Sequence, residues 1–326
     1  MGDLERSRIQ KIKEIFSRIP GPKDFNGIGD DAAVFSAPAG ELQIVTTDSL
    51  LEGVHFRREW MSASDLGYKS LAVNLSDLAA EGAKPLGFFL NLSLPPEITE
   101  DWFTEYNHGL FSIAKEFQIP LLGGDLTGSK QGIFISITAL GSAPREKIKT
   151  RSGAKERDLI FVTGRLGDSA AGLDILSQKR DGFEGLKAVH LRPHPHLAES
   201  LFLREQMNVH SLMDVSDGLL LDLPKLADQS QRGFRVYLEK IPHSIQLLEY
   251  TQKFNLDPWQ FSLAGGEDYV LLGTCDEPSA YELQRNFHKH FTKPLYFLGE
   301  IMPATDQHWL KEKKPIAPNY KSFSHF

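Results

Sequence analysis

Residues 212–227 read LMDVSDGLLLDLPKLA. Leu212 to Val215 is an apolar run of strand length, and Leu219 to Ala227 has the period of a helix. Asp214-Val215-Ser216-Asp217-Gly218 sits at the join, so a strand ends and a helix begins around two carboxylates and a hydroxyl. A helix N-terminus offers free N–H groups and a positive dipole end, which suits an anion. Asp217 would serve equally as a plain N-cap. The serine between two aspartates three apart favours metal and phosphate chemistry over the cap alone.

The same pattern of an apolar run closed by glycine, hydroxyl and acid recurs along the chain. The other clusters are Gly29-Asp30-Asp31, Thr46-Thr47-Asp48, Ser76-Asp77, Gly123-Gly124-Asp125 and Gly265-Gly266-Glu267-Asp268. Hard cations want several oxygen ligands, and Mg²⁺ commonly shares one or two carboxylates with substrate phosphates. Carboxylates gathered at close range cannot all stay ionised without a cation. Each cluster also has a plain reading. Gly29 to Asp31 and Gly123 to Asp125 read as turns, and Thr46 to Ser49 as an exposed turn with side-chain hydrogen bonds. Asp77 shares a helical stripe with Asn74 and Glu81, which by period is a solvated face; spacing does not separate Asp77 from Glu81 as a ligand. His55 is a lone loop histidine.

Strands and helices alternate throughout. In the first half, strands are expected at Leu42 to Thr47, Leu86 to Leu94, Pro120 to Gly124 and Gly132 to Leu140. Helices are expected at Ala63 to Glu81, with Leu71, Leu75 and Leu78 on one face, and at Thr99 to Phe117, with Thr99 as N-cap. A basic connector, Pro144 to Lys155, separates this from a second set. There strands are expected at Asp158 to Thr163, Leu212 to Val215, Phe234 to Leu238, Asp268 to Thr274 and Leu295 to Gly299. The fold class is therefore α/β (α+β) with a sheet in each half, divided into residues 1–148 and 149–326.

Bulk properties exclude several classes. The 326 residues are 41% apolar and 24% charged with a net charge of −7, which argues against nucleic-acid binding through a basic surface. Cys275 is the only cysteine, so neither an internal disulfide nor a cysteine-based zinc site is available. No apolar stretch is long enough to span a membrane, and Met1 to Ile19 is charged and of helical period without a signal-peptide core; a cytoplasmic location is expected. There is no P-loop and no protein-kinase motif set, and Gly164 to Gly167 is not a dinucleotide fingerprint.

Taken in order, the clusters resemble the thiamine-monophosphate kinase family of the aminoimidazole ribonucleotide synthetase-like superfamily. The strings that carry the resemblance are Gly29 to Val34, Thr46 to Asp48 with Gly53 to Phe56, Asn74 to Ala80, Gly123 to Asp125, Thr150 to Ala154, Gly167 to Leu173, Met213 to Leu219 and Gly265 to Tyr269. The resemblance implies an N-terminal sheet-and-helix domain that pairs in a homodimer, a C-terminal α/β sandwich domain, and ATP-dependent phosphorylation of thiamine phosphate to thiamine diphosphate. By position it implies several Mg²⁺ ions held by Asp30, Thr46, Thr47, Asp48, Asp77, Asp125, Asp214 and Asp217. It likewise implies nucleotide contacts at Thr47, Tyr106, Gly124, Asp125, Arg151 and Ser216, and thiamine phosphate contacts at His55, Glu267 and Tyr320. Asp48, Asp125, Asp217 and Arg151 would carry the transfer. The loop after Asp125, Leu126-Thr127-Gly128-Ser129, departs from the family pattern of two threonines and a polar group. Glu81 reads as surface. Rival readings are a sister enzyme of the superfamily, a catalytically silent nucleotide-binding module and a metal-dependent phosphatase. The first is weakened because Met1 to Gly29 lacks a cysteine and the chain ends Ser324-His325-Phe326.

Overall fold

The computed structural model describes residues 3–25 and 32–322, and the chain divides into two compact units. The first comprises Met1–Leu78 and Ala83–Glu146; the second comprises Ala79–Gly82 and Lys147–Phe326. Among the described residues, no helix is long and apolar enough to cross a membrane.

The first unit contains α1 (Asp3–Phe16), β1 (Leu42–Leu51), all but the last two residues of α2 (Ala63–Ala80), β2 (Lys84–Leu94), α3 (Glu100–Glu116), β3 (Leu121–Gly128) and β4 (Phe134–Ala143). Its four-stranded sheet has the order β1-β4-β2-β3, antiparallel except for the β2–β3 pair. Leu71, Leu75 and Leu78 of α2 are fully buried, as the stripe requires. Thr99 caps α3 by accepting from the Trp102 N–H. The two helices meet backbone to backbone: a Cβ on Gly67 would stand 2.0 Å from the Tyr106 carbonyl oxygen, and one on Gly109 would stand 1.8 Å from that of Ser64.

Two strands run further than the sequence indicates. β1 continues past Asp48 to Leu51 because β4 pairs with it along the whole length, Leu42 opposite Ala143 and Leu51 opposite Phe134. Asp48 therefore lies within a strand, opposite Ile137, and not at its end. Gly123-Gly124-Asp125 is also no turn: these residues are strand, paired in parallel with Phe89, Leu90 and Asn91.

The second unit contains β5 (Leu159–Val162), α4 (Asp168–Ser177), α5 (Glu184–Leu191), α6 (Leu197–Arg204), β6 (Val209–Asp214), α7 (Leu219–Gln229), β7 (Gly233–Tyr237), α8 (Ile245–Phe254), α9 (Pro258–Ala264), β8 (Leu271–Cys275), α10 (Ala280–Phe291), β9 (Tyr296–Met302), β10 (Gln307–Lys311) and β11 (Lys314–Ile316). Its seven-stranded sheet has the order β11-β10-β7-β9-β5-β8-β6. Ile160, Val162, Met213, Leu272 and Leu298 from the strands pack with Leu219, Leu223 and Leu226 of α7 in one core. A smaller cluster of Ala171, Ile175, Leu186, Leu247, Tyr250 and Phe261 joins α4, α5, α8 and α9. β6 is an edge strand, so the acid string at its end is not enclosed by a further strand.

Candidate functional site

In the first unit, side chains of β1 alternate between the two faces of the sheet. Thr46 and Asp48 share one face and Thr47 and Ser49 the other, matching the alternation of half-buried and exposed residues along the strand. The Thr46 hydroxyl donates a short hydrogen bond to Asp77 Oδ2. Asp77, and not Glu81, is thus the α2 carboxylate set beside β1. Thr46, Asp48 and Asp77 together offer hard oxygen donors of the type Mg²⁺ takes. The Thr47 hydroxyl lies on the other face, donating to the Ile137 carbonyl at 3.2 Å and accepting from Thr138 at 3.2 Å.

Asp125 is exposed on β3, the edge strand opposite to β1 in the sheet order. Gly124 before it has φ +152°, and a Cβ there would fall 1.8 Å from the Leu90 carbonyl oxygen, so a side chain is excluded. His55 is half-buried after β1, its Nδ1 accepting from the Leu51 N–H at 3.0 Å. Tyr106 is 0% exposed: its hydroxyl lies 3.2 Å from Ser70 Oγ and its ring stacks on Trp102. As a nucleotide contact it has no exposed atom to offer, and it supports α2 and α3 from within. Asp30 lies outside the described residues.

In the second unit, two glycine–acid strings fifty residues apart form one ladder. The Val215 N–H donates to the Val270 carbonyl at 2.9 Å, the Tyr269 N–H to Val215 at 2.9 Å, and the Glu267 N–H to Ser216 at 2.8 Å. A Cβ on Gly266 would stand 2.3 Å from the Ser216 carbonyl oxygen, so this approach needs glycine. Glu267 and Tyr269 both hold positive φ, +65° and +51°, an uncommon state for side-chain-bearing residues. Ser216 and Glu267 are brought together here, with Asp214 buried at the end of β6.

Asp217 is not the N-cap of α7; Gly218 holds that place without a side-chain bond. Instead the Asp217 N–H donates to Asp222 Oδ2 at 2.9 Å, and Lys225 Nζ reaches Asp217 Oδ2 at 2.5 Å and Asp222 Oδ1 at 2.9 Å. Sequence reading missed Asp222 and Lys225, which look like ordinary charges on a helix. It also missed His190, a buried imidazole whose Nδ1 lies 3.3 Å from Glu267 Oε2 and 3.2 Å from Ser169 Oγ. Arg151 lies in a single turn of 3-10 helix, Arg151–Gly153, half-buried, its carbonyl accepting from Ser230 Oγ at 2.6 Å. Glu81 belongs to this unit and is half-buried, not surface; burial raises its pKa and the Arg151 charge opposes the rise. The Tyr320 hydroxyl donates to Asp257 Oδ2 at 2.7 Å, and its ring packs on the larger core.

Asp268 is a distant cap for α4. Its carboxylate accepts from the N–H groups of Gly167 at 2.7 Å and Ser169 at 3.3 Å. Burial pushes its pKa up to about 8, the two N–H bonds pull it back, and the neighbouring Asp168 and Glu267 charges add to the rise. A carboxyl raised in the fold contributes stability below its unfolded pKa of about 3.9 and loses it as pH rises through the folded value. Urea unfolding between pH 5 and 8 should therefore show wild-type stability falling with pH. Asp268→Asn should flatten that fall, and an unchanged slope would contradict the assignment.

Relatives are found along the whole chain. Residues 29–143 match the family model AIR synthase related protein, N-terminal domain, and residues 155–306 match its C-terminal domain. The thiamine-monophosphate kinase of Buchnera aphidicola subsp. Acyrthosiphon pisum (strain APS) is 36% identical over 332 residues, covering 99% of this chain and 100% of that protein. That of Escherichia coli (strain K12) is 35% identical over 306 residues, covering 92% and 91%. Among solved structures, the thiamine-monophosphate kinase from Stenotrophomonas maltophilia K279a superposes with a TM-score of 0.83 at 35% identity, covering 94% of this chain and 96% of that one. AaThiL complexed with AMPPCP and TMP gives 0.77 at 28% identity, covering 99% and 97%. HypE of E. coli, a hydrogenase maturation protein, shares the fold at 15% identity with a TM-score of 0.79, covering 98% and 99%.

Proposed function

The chain belongs to the thiamine-monophosphate kinase family, and we propose that it transfers the γ-phosphoryl group of ATP to thiamine phosphate, giving thiamine diphosphate and ADP. The observation that carries this reading is the full-length relation to kinases of that name, joined by a related structure complexed with AMPPCP and TMP.

The acceptor phosphate is already ionised near neutral pH, so the reaction needs no general base. The obstacle is repulsion between two anions, and catalysis of such transfers comes mainly from positioning and charge stabilisation. Bound Mg²⁺ would supply charge neutralisation for the two anionic groups. The donors fit it: on the first unit Thr46, Asp48 and Asp77 present hard oxygens on one side of β1, with Asp125 exposed on β3. On the second unit Asp214 and Asp217 flank Ser216 where β6 ends. Lys225 pairs with the Asp217 carboxylate and sets a positive charge beside it. Arg151 would add bidentate hydrogen bonds to a phosphate. Glu267, braced by His190, would face the cationic thiamine moiety, with Tyr320 as the aromatic partner. His55 would complete the thiamine phosphate contacts.

The test is ADP release measured with each substrate alone and with both. Release that needs ATP and thiamine phosphate together supports the kinase. Phosphate released from thiamine phosphate without ATP would replace it with a phosphatase.

The protein is proposed to act in the cytoplasm as a homodimer. Among the described residues β1 is an edge strand, with Val45 59% exposed and Leu51 42% exposed, a face that a second copy can cover. Val45→Asp should shift sedimentation from dimer towards monomer. A wild-type protein that sediments as a monomer would remove the dimer.

A further inference from the structure

Apart from the phosphate chemistry, the second unit carries a second cluster of ligand side chains. Pro193-His194-Pro195-His196 runs into α6, and Glu199 lies in the first turn of that helix. One ligand atom each from His194, His196 and Glu199 lie within 4.8 Å of one another. His194 Nε2 is 3.7 Å and His196 Nδ1 3.5 Å from Glu199 Oε1, and the two rings meet edge-on with centroids 4.9 Å apart.

Glu199 is 3% exposed. Its Oε1 accepts from the Lys293 ammonium, while its Oε2 is buried with no hydrogen-bond partner among the described residues. A buried carboxylate oxygen left without a partner is costly and asks for a ligand. The Lys293 side chain is 34% exposed, so its ammonium has water as an alternative to Glu199. The rings are held ready: Pro193 and Pro195 fix φ on either side of His194, and His196 sits at φ +49°. Thr163 Oγ1, which accepts from the Leu271 N–H, stands 3.1 Å from His196 Nδ1; it orients the ring, and an ion would compete with it for that nitrogen.

We propose that His194, His196 and Glu199 form a site for a divalent transition-metal ion of the Zn²⁺ or Co²⁺ kind, with the Lys293 ammonium as a built-in competitor that the ion displaces. Two imidazoles and one carboxylate suit zinc and its neighbours, whereas Mg²⁺ takes oxygen ligands. The exposed side of His194 gives the ion its way in.

The test is titration of the purified full chain with Co²⁺ in excess Mg²⁺, read by visible absorption and by calorimetry. One equivalent should bind with the absorption bands of a nitrogen-ligated ion. His194→Ala, a change at an exposed side chain, should weaken binding by about tenfold or more, the scale of disturbing a metal's ligand set. Lys293→Met should tighten it. No Co²⁺ bound, equal affinity in wild type and His194→Ala, or affinity not increased by Lys293→Met would each overturn the site.

Discussion

Asp48→Asn and Asp217→Asn are each expected to lower turnover by about a hundredfold or more, the scale of losing one preorganised charge contact. Asparagine keeps the volume of aspartate and removes only its charge, so packing is spared. Asp48 lies within β1 on the face of Thr46 and Asp77, in a strand paired along its whole length with β4. Its backbone is fixed by that pairing whatever its side chain does. Asp217 has a side chain 48% exposed, and its main-chain N–H is held by Asp222, itself fully buried. Loss of the Asp217 charge also leaves Lys225 paired with Asp222 alone. Steady-state kinetics at limiting and saturating Mg²⁺, with circular dichroism to confirm folding, reads this out. Wild-type turnover in either variant at limiting Mg²⁺ would remove that residue from the proposed metal set.

The second large effect is on folding. Gly109→Ala places a methyl 1.8 Å from the Ser64 carbonyl oxygen, and the next nearest atoms, at 2.6 and 2.7 Å, are also Ser64 backbone. Backbone cannot step aside as a long side chain can. The converse contact at Gly67, 2.0 Å from the Tyr106 carbonyl oxygen, means that α2 and α3 touch through glycine from both sides. Relief requires the helices to part, and α2 carries Leu71, Leu75 and Leu78 into the core and Asp77 to β1. Overpacking of this kind costs about 3 kcal/mol. Urea unfolding of Gly109→Ala should show a loss of that order, and a loss under about 0.5 kcal/mol would mean that the helices are not in close contact.

The local elements were legible because their signals are local. The Thr99 cap, the leucine stripe of α2 and the strand-to-helix join at Asp214 to Leu219 follow from capping chemistry and period alone. What escaped depends on partners distant in sequence. Asp48 reads as a strand end until β4 is known to pair beyond it, and Gly123-Gly124 reads as a turn until β2 runs beside it. Asp77 and Glu81 are alike by spacing; only the Thr46 hydroxyl on another element separates them. The bridge between Asp214 to Gly218 and Gly265 to Tyr269 was not visible, although glycine beside acid in both strings was its trace. His190, Asp222 and Lys225 carry no motif of their own. A histidine in a helix and an i,i+3 acid–base pair are common surface features, and here the burial of His190 and Asp222 and the bonds to Glu267 and Asp217 distinguish them.

The central claim, direct transfer between two phosphates, is tested most directly by following the label from ATP marked in its γ-phosphoryl group. Purified protein with thiamine phosphate and Mg²⁺ should place the label in thiamine diphosphate, with none in free phosphate, and a metal chelator should abolish it. Label appearing in inorganic phosphate, or thiamine diphosphate formed without label, would contradict it.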